Sequence, residues 1–311
     1  MNQQIVAVVG VHVLDTHVLR VESIPEGSAG ALVDTIRVSP AGTAGGTGVV
    51  LSKLGADVHS IGAVGNDPIG DTLVGLLARD GIDTSRLVRK PDAQTSASVL
   101  PVRPNGDRPA WHCVGANGSL TLEDIDLASV PDLGHVHLGG PEFLGGPAAG
   151  ELLAAAHELG CTTSVDVLAP GDPDMLGWIA DCLPHVDYLL PNDEQVLGFT
   201  GKQSLAEGAR ELVAAGAGCV AVTQGARGAL VVTAEEELEV PAYAVEVVDT
   251  TGCGDAFSAG FLRGRSLGLD LRSSAELGCA TAAQVAQGIG TDHGSYTLQS
   301  VRTFAADSPL R

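Results

Sequence analysis

The chain has 311 residues, of which 44% are hydrophobic and 3% are aromatic, so it is long enough for one large α/β domain with a sizeable core. Its formal net charge of −21 argues against binding to a nucleic-acid backbone, which requires clusters of Lys and Arg. No apolar run reaches the ~18 residues of a membrane span, and the first residues lack the basic start of a signal peptide. We therefore expect a cytoplasmic protein whose six cysteines, none in a Cys-x-x-Cys pair, are buried free thiols.

Strand-like and helix-like runs alternate along most of the chain. The predicted strands are 5–9, 57–64, 136–138, 163–167, 186–190, 219–223 and 229–232, with a further strand-like run at 245–248. The predicted helices are 44–54, 68–80, 147–159, 174–182 and 205–215. Such alternation implies right-handed βαβ units and a mostly parallel sheet with helices on both faces, in a single domain over residues 1–311.

Two insertions, at about 16–39 and 95–114, break this alternation. Both contain alternating apolar and polar residues, and the second holds Asn105-Gly106, a strong hairpin signal. We predict that the insertions form a small separate sheet. Such a sheet acts as a lid when it projects over an active site, whereas the alternative is surface decoration. We favour a lid because Asp15 stands directly before the first insertion.

The string DTTGCGDAF, residues 249–257, places a carboxylate in a glycine-rich turn at the start of a helix-like run. Gly252 and Gly254 let backbone N–H groups converge on an anion, and the helix N-terminus adds positive potential. Asp255 beside such a turn can take a proton from a hydroxyl while the turn holds the developing phosphoryl charge. The alternative is that Asp255 only caps the helix.

The whole string resembles the C-terminal signature of the ribokinase-like (PfkB) family of carbohydrate kinases, Asp-Thr-x-Gly-Ala-Gly-Asp-x-Phe, with Cys253 in place of Ala. Motif order and spacing agree from Gly10 to about Ser295. The resemblance implies a three-layer α/β/α core with a mostly parallel sheet and a small β-sheet lid. It also implies a catalytic centre made of Asp255 and an anion hole over residues 252–255.

Two segments near the N-terminus resemble the family's substrate site. Asp15 follows the first predicted strand, where a carboxylate can accept hydrogen bonds from two hydroxyls, and the resemblance implies that it contacts the substrate. The run AGTAGGTG, residues 41–48, resembles the signature Gly-Gly-x-x-x-Asn and adds Gly42 and Thr43 to that site. Gly46 stands where the family has its sugar-contacting Asn, which leaves the identity of the substrate open.

The string PNDEQ, residues 191–195, resembles the Asn-x-x-Glu motif that organises Mg²⁺ and phosphate in the family. Asn192 matches, but Gln195 replaces the Glu, and the adjacent Glu194 is the candidate that substitutes for it. Oxygen ligands and retained waters suit Mg²⁺, so we expect the metal role to be kept but weakened. Asp249 and the 290–295 turn resemble the monovalent-cation (K⁺) site of some relatives.

The turn after the predicted strand 219–223 resembles the family's Thr-x-Gly-x-x-Gly turn beside the nucleotide. Thr223, Gly225 and Gly228 are therefore implied, together with Gly254, as residues that bind ATP. The alternative is a hairpin turn that needs two glycines. By resemblance, the Ala-rich helical run 277–287 packs near the adenine.

The sequence thus predicts an ATP- and Mg²⁺-dependent kinase that phosphorylates a hydroxyl of a sugar or a sugar-containing small molecule. A nucleoside kinase of the same family is one alternative, and a sugar- or nucleotide-binding regulator with a decayed kinase site is another. A dinucleotide-dependent oxidoreductase is disfavoured because Gly10 is not followed by Gly-x-x-Gly. The resemblance is also the basis for the hypothesis of a homodimer that pairs through the lid. No nucleic-acid or membrane partner is expected.

Overall fold

The computed structural model describes residues 5–103 and 108–311. Its strands are β1 (Ile5–Gly10), β2 (Val13–Leu19), β3 (Ile36–Ala41), β4 (Asp57–Gly65), β5 (Asp83–Lys90), β6 (Ala97–Val102), β7 (Trp111–Cys113), β8 (His135–Gly139), β9 (Thr162–Asp166), β10 (Tyr188–Leu189), β11 (Cys219–Thr223), β12 (Ala229–Val232) and β13 (Glu237–Val240). Its helices are α1 (Thr43–Lys53), α2 (Pro68–Arg79), α3 (Gly146–Glu158), α4 (Pro173–Leu176), α5 (Asp193–Thr200), α6 (Leu205–Ala214), α7 (Cys253–Ser266), α8 (Leu271–Val285) and α9 (Leu298–Asp307).

The main sheet has nine strands in the order β13-β12-β11-β10-β9-β8-β1-β4-β5. The neighbouring strands from β11 to β5 pair in parallel, whereas β12, next to the edge strand β13, pairs antiparallel with both β11 and β13. Each face of the sheet is covered by helices: α1, α2, α7, α8 and α9 on one side, and α3, α5 and α6 on the other. The predicted three-layer core with a mostly parallel sheet is confirmed.

Strand β1 shows why the sheet is buried on both faces. Val6 and Val8 pack into the core under α1 and α7, whereas Ala7 and Val9 pack into the opposite core under α3. Alternate side chains of a strand point to opposite faces, so a continuous apolar run is what a sheet between two helical layers requires.

The two insertions form the predicted separate sheet, in the order β3-β2-β6-β7. One of its faces is buried and carries Asp15 opposite both Ser39 and Ser98. The segment 104–107, in which the Asn-Gly hairpin signal falls, lies outside the described residues. β6 and β7 on its two sides pair antiparallel.

Two predicted elements differ from the structure. The helix predicted at 174–182 is only the short α4, followed by a separate 3₁₀ segment, Ala180–His185, because Gly177 and Pro184 interrupt the pattern. The run 245–248 forms no strand. Its backbone bonds elsewhere: the N–H of Val248 donates to the carbonyl of Ala286 at the end of α8.

Candidate active site

The site lies where the order of the sheet reverses. β1 stands between β8 and β4, and the carboxyl ends of β1 and β8 meet at the paired residues Gly10 and Gly139. A ligand crevice forms at such a reversal, outside the carboxyl ends of the strands. A Cβ on Gly139 would lie 2.4 Å from the backbone nitrogen of Ala44, so this glycine lets the start of α1 pack directly over the strand ends.

The glycine-rich turn forms the N-terminus of α7, as predicted. Gly252 is the N-cap with a φ of 77°, and a Cβ there would lie 2.1 Å from the hydroxyl of Thr291, so both conformation and space require glycine. A Cβ on Gly254 would meet no atom within 4 Å, so the first turn of α7 faces open space. The N–H groups of Gly254 and Asp255 in that turn have no intrahelical acceptor and are free for an anion.

Asp255 lies in the first turn of α7, with its carboxylate directed towards the start of α1. Burial raises its pKa to about 7, and the negative charge of Asp15 adds to the rise. A carboxylate with a pKa near the operating pH is suited to general-base catalysis. The structure thus brings Asp15 and Asp255 near each other, although they are 240 positions apart in the sequence.

Asp15 lies on the buried face of the small sheet. Burial raises its pKa to about 6, while a hydrogen bond from Ser98 and the charge of Arg108 act in the opposite direction. Ser98 in turn bonds the Nδ1 atom of His112 on β7, at 2.9 Å. Ser98 and His112 therefore extend the polar surface beside Asp15, and the sequence analysis missed both of them.

Asp166 is a third carboxylate of this crevice that the sequence analysis missed. It ends β9, is buried, and accepts a 3.4 Å hydrogen bond from the hydroxyl of Ser258, one turn after Asp255. Burial raises its pKa well above the ordinary value, and the charges of Asp255 and Glu142 add to this effect. The feature of the sequence that could have identified Asp166 as a site residue is its place at the carboxyl end of a predicted parallel strand.

The start of α1 contributes backbone more than side chains. Gly42 caps the helix with a φ of 88°, and a Cβ there would lie 2.5 Å from the carbonyl oxygen of Val11. The hydroxyl of Thr43 is buried and has no hydrogen-bond partner among the described residues. A Cβ on Gly46 would lie 2.2 Å from the Oδ2 atom of Asp255. Gly46 is therefore part of the packing around Asp255, whereas a substrate contact by Thr43 stays a prediction.

A cavity of about 260 Å³ adjoins the first turn of α7. Its walls are the turn after β11, the loop before α7, and the Ala-rich helix α8. The lining includes Thr223, Gly225 and Gly228, together with Cys253 and Gly254. Gly254 therefore borders the cavity and directly precedes Asp255 in the chain.

Cys253 has a packing role in this wall. Its Sγ atom lies 3.7 Å from the carbonyl oxygen of Ala282 on α8. Burial raises the pKa of the thiol to about 12, so it is uncharged at neutral pH. The replacement of the family's Ala by Cys is therefore compatible with the turn.

The segment around Asn192 meets the turn after β11. Asn192 pairs with Thr223 through a parallel bridge, and the next residue, Asp193, forms an ion pair with Arg227 at 2.6 Å. Asn192 also caps α5, since its Oδ1 atom accepts from the N–H of Gln195 at 2.8 Å. Glu194 has an exposed side chain on the first turn of this helix.

Gln195, the departure from Asn-x-x-Glu, has a specific structural use. Its Oε1 atom accepts from the N–H of Asn192 at 2.9 Å, while its Nε2 atom donates to the carbonyls of Val167 and Ala169 at 2.8 and 3.1 Å. A Glu carboxylate could accept the first bond but could not donate the other two. The amide thus joins α5 to the loop after β9.

Asp249 lies under the loop that enters α7. Its Oδ1 atom accepts from the N–H and hydroxyl of Thr251 at 3.0 and 2.8 Å, and its Oδ2 atom accepts from the N–H of Gly290 at 3.2 Å. Arg108, which the sequence analysis missed, approaches the same oxygens, with its Nε atom 3.8 Å from Oδ1. Asp249 thus holds the loop and the 290–295 turn together.

Within residues 5–103 and 108–311, no three His, Cys, Asp or Glu side chains lie close enough to hold a metal ion by themselves. In the same part of the chain, no helix has the length and apolar character that a membrane crossing requires. Of the cysteines, four are buried, Cys253 is partly buried, and Cys113 is exposed, so the expectation of buried thiols is wrong for Cys113.

The sequence profile of the pfkB family carbohydrate kinases matches residues 4–298. The chain belongs to the pfkB family. An ATP-dependent ribose-1-phosphate kinase of Halopiger xanaduensis is 30% identical over 252 residues, covering 78% of this chain and 79% of the relative. A deoxyribokinase of Salmonella typhi is 27% identical over 306 residues, covering 96% and 98% of the two chains.

Solved structures show the same fold. An E. coli chain crystallised with ATP and Mg²⁺ as a candidate ribokinase II superposes with a TM-score of 0.83, at 22% identity, over 98% of this chain and 99% of that one. As a pfkB member, the protein is a kinase of the sugar and nucleoside class, a phosphotransferase with a hydroxyl group as acceptor.

Proposed function

We propose that the protein transfers the γ-phosphoryl group of ATP to a hydroxyl of a sugar or a sugar-containing small molecule, with Asp255 as the general base. The observation that carries the proposal is the position of Gly254. It borders the cavity of about 260 Å³ on one side and precedes the carboxylate with a pKa of about 7 on the other. A nucleotide in the cavity would thus present its phosphates to the free N–H groups of α7.

In the proposed reaction, Asp255 accepts the proton of the acceptor hydroxyl. The hydroxyl oxygen forms a bond to the γ-phosphorus as the bond between that phosphorus and the β,γ-bridging oxygen breaks, which releases ADP. Within the anion hole over residues 252–255, the free N–H groups of Gly254 and Asp255 stabilise the charge on the transferring group. Catalysis then depends on positioning and electrostatics, as is general for phosphoryl transfer.

For the nucleotide, we propose the turn Thr223–Gly228 and the wall made by α8. Gly228 has a φ of 94°, and a Cβ there would lie 1.9 Å from the carbonyl oxygen of Val240, so the turn lies close against β13. The small side chains of Ala282 and Ala283 on α8, and of Ala286 directly after it, form an apolar wall suited to a purine ring.

Mg²⁺ fits the oxygen groups at the bottom of the crevice. Glu142 has a buried Oε2 atom without a hydrogen-bond partner among the described residues, and Asp166 is buried beside it and Asp255. Hard oxygen ligands of this kind suit Mg²⁺, which keeps several waters and binds phosphates. We propose that Asp166, with Asn192 and Glu194 on the phosphate side, holds the ion, which when bound neutralises charge on the nucleotide phosphates.

For the acceptor, we propose the polar surface formed by Asp15, Ser98 and His112, with Gly42, Thr43 and Gly46 on the opposite side. A carboxylate that accepts from two hydroxyls is suited to a polyol. The names of two relatives, a ribose-1-phosphate kinase and a deoxyribokinase, support a pentose-based acceptor. A nucleoside is the second candidate, because the sugar-contacting amide of the family's Asn is absent at Gly46.

We propose that the small sheet is a lid and that its outer face pairs two copies of the chain. Thr16, Val38, Val99 and Trp111 form one cross-strand row, in which the three apolar side chains are 41%, 40% and 57% exposed. An exposed apolar row on a sheet is typical of an interface. Light scattering should give the mass of a dimer, and Trp111→Lys should give that of a monomer; an unchanged mass would contradict pairing through this face.

ADP release from Mg-ATP, measured against pentoses, phosphorylated pentoses, hexoses and nucleosides, tests the function. Asp255→Asn should lower kcat by ~10²–10⁴-fold, the usual effect of a lost acid–base group. Cys253→Ala is the matched variant in the same turn and should keep kcat within about threefold, since Ala is the residue of the family signature. Near-wild-type turnover by Asp255→Asn would remove the base assignment. ATP binding without turnover on any acceptor would favour a regulator.

A further inference from the structure

Arg108 brings a positive charge from the small sheet to the loop that enters α7. Its Nη1 atom donates to the hydroxyl oxygen of Thr251 at 2.6 Å, and its Nε atom lies 3.8 Å from Oδ1 of Asp249. The Asp249 side chain is 2% exposed. A buried carboxylate requires hydrogen bonds and an opposite charge, and Arg108 provides the charge.

His17 is the other side chain near Asp249 that could carry a positive charge, but it is neutral at pH 7. The Nδ1 atom of His17 lies 3.9 Å from Oδ2 of Asp249, but burial lowers the pKa of His17 despite the attraction of that carboxylate. The Nε2 atom of His17 bonds the hydroxyl of Ser39 instead, at 3.0 Å. The charge balance of Asp249 therefore depends on Arg108.

The neighbouring turn 290–295 also has its oxygens occupied by cations of the chain. The Nζ atom of Lys53 donates to the carbonyls of Asp292 and Gly294 at 2.6 and 2.7 Å. Arg37 of the small sheet forms an ion pair with the carboxylate of Asp292, also at 2.6 Å. The turn is thus tied to α1 and to the small sheet.

A monovalent cation at Asp249 does not fit this arrangement. Both carboxylate oxygens of Asp249 already accept hydrogen bonds, from Thr251 and Gly290, and a guanidinium group lies within 4 Å. A further positive charge would be repelled at this distance, and the Lys53 ammonium already takes carbonyl oxygens of the turn. K⁺ is therefore not part of the function proposed above.

We propose that Arg108 is a positioning residue that supplies the positive charge beside Asp249 and makes the enzyme independent of a monovalent cation. Arg108 holds Thr251, and Thr251 precedes the N-cap of α7, so the contact fixes the anion hole when the small sheet is in place. The inference rests on the kinase function proposed above, because its main readout is the rate of phosphoryl transfer.

The test compares wild type, Arg108→Ala and Arg108→Lys in buffers of equal ionic strength that contain K⁺, Na⁺ or tetramethylammonium. Wild-type kcat should be the same in the three salts within about twofold. Arg108→Ala should lose roughly 10- to 100-fold in kcat, the effect of a misplaced catalytic group, with a smaller change in the KM of the acceptor. Added guanidinium, at concentrations that do not denature, should restore part of kcat. Arg108→Lys should be intermediate, because it keeps the charge and loses the planar fork.

Arg20→Ala is the matched control. Arg20 directly follows β2 of the small sheet, but its side chain is 76% exposed and, among the described residues, its ion pair is with the exposed Asp34 at 3.3 Å, so kcat should not change. A thermal-unfolding titration of each protein with K⁺ gives a readout that does not depend on activity. K⁺ should raise the melting temperature of wild type no more than tetramethylammonium does.

Three results would overturn the proposal: a specific K⁺ requirement or K⁺ stabilisation in wild type, a loss confined to the acceptor KM, or no response of Arg108→Ala to guanidinium. The first would show that the carboxylate accepts an external cation, and the second that Arg108 is a substrate contact. Absence of turnover by wild type on every acceptor would contradict the kinase proposal instead, and the thermal titration would still test the charge assignment.

Discussion

The α-carbon of Gly46 lies directly against the carboxylate of Asp255, so that a Cβ at position 46 would stand 2.2 Å from Oδ2. The place of the family's Asn is thus occupied here by the carboxylate of Asp255, the proposed general base. The first turns of α1 and α7 approach each other without a side chain between them. The missing amide changes the packing of Asp255 as well as the proposed substrate site.

Gly46→Ala should therefore displace Asp255. We expect kcat to fall by roughly 10- to 100-fold, since a shift of about 1 Å in a catalytic group has effects of this size. Gly75→Ala in α2 is the control, because a Cβ there meets no atom within 4 Å and Ala favours a helix. Steady-state kinetics of both variants check the expectation, and an unchanged kcat in Gly46→Ala would show that Asp255 works in another position.

The pH dependence of kcat/KM should show an acid limb near pH 7. Asp255 must be ionised to accept a proton, and burial with the charge of Asp15 places its pKa at about 7. Asp15→Asn removes the like charge and should move the limb to lower pH, even though it also weakens acceptor binding. The pH profiles of wild type and Asp15→Asn test this expectation. An acid limb that does not move would show that the ionisation of Asp255 does not depend on the charge of Asp15.

The same carboxyl groups should make the folded protein less stable as the pH rises. The pKa of Asp255 is about 7 in the folded protein against an ordinary value of 3.8, so between pH 4 and 7 the folded state binds more protons than the unfolded state. The free energy of unfolding therefore falls through this window. Asp255→Asn should be more stable than wild type above pH 7, and the difference should vanish below pH 4.

Asp67→Asn provides a control of opposite sign. Burial opposes the shift, but hydrogen bonds from Thr95 and Gly70 lower the pKa of Asp67, so its ionised form stabilises the fold at neutral pH. Above pH 4, Asp67→Asn should have a lower free energy of unfolding than wild type, and the difference should be smaller in acid. Denaturant unfolding at several pH values measures both effects, and the same sign for the two variants would contradict this reasoning.

Gln195→Glu should weaken the joint between α5 and the loop after β9. The new carboxylate would face the carbonyls of Val167 and Ala169, which now accept from the amide at 2.8 and 3.1 Å. We expect a loss of about 1–3 kcal/mol in the free energy of unfolding at neutral pH, the effect of buried groups left without partners. Glu194→Gln, the reverse change on an exposed neighbour, should be within about 0.5 kcal/mol of wild type. Equal stability of Gln195→Glu and wild type would show that the loop accommodates a charge.

Most of the fold could be predicted from the sequence because its signals are local. The apolar runs of β1 and β4, the Pro at the start of α2 and the glycine-rich start of α7 each act within a few residues. Local interruptions at Gly177 and Pro184 shortened the helix predicted at 174–182, whereas the failed strand prediction depended on a distant partner. The run 245–248 has strand-like residues, but the N–H of Val248 donates to the carbonyl of Ala286 at the end of α8 instead of to a strand.

The sequence by itself determined the family, the alternation of strands and helices, and the position of Asp255 in a glycine-rich turn at a helix start. Only the tertiary structure decided that Asp15, Asp166 and Arg108 face this turn, because each comes from a different strand or loop and charges act through space. It also decided that Gln195 is a buried joint and that Gly46 packs on Asp255. These roles depend on desolvation and on distances of a few Å between residues far apart in the chain, which no local pattern encodes.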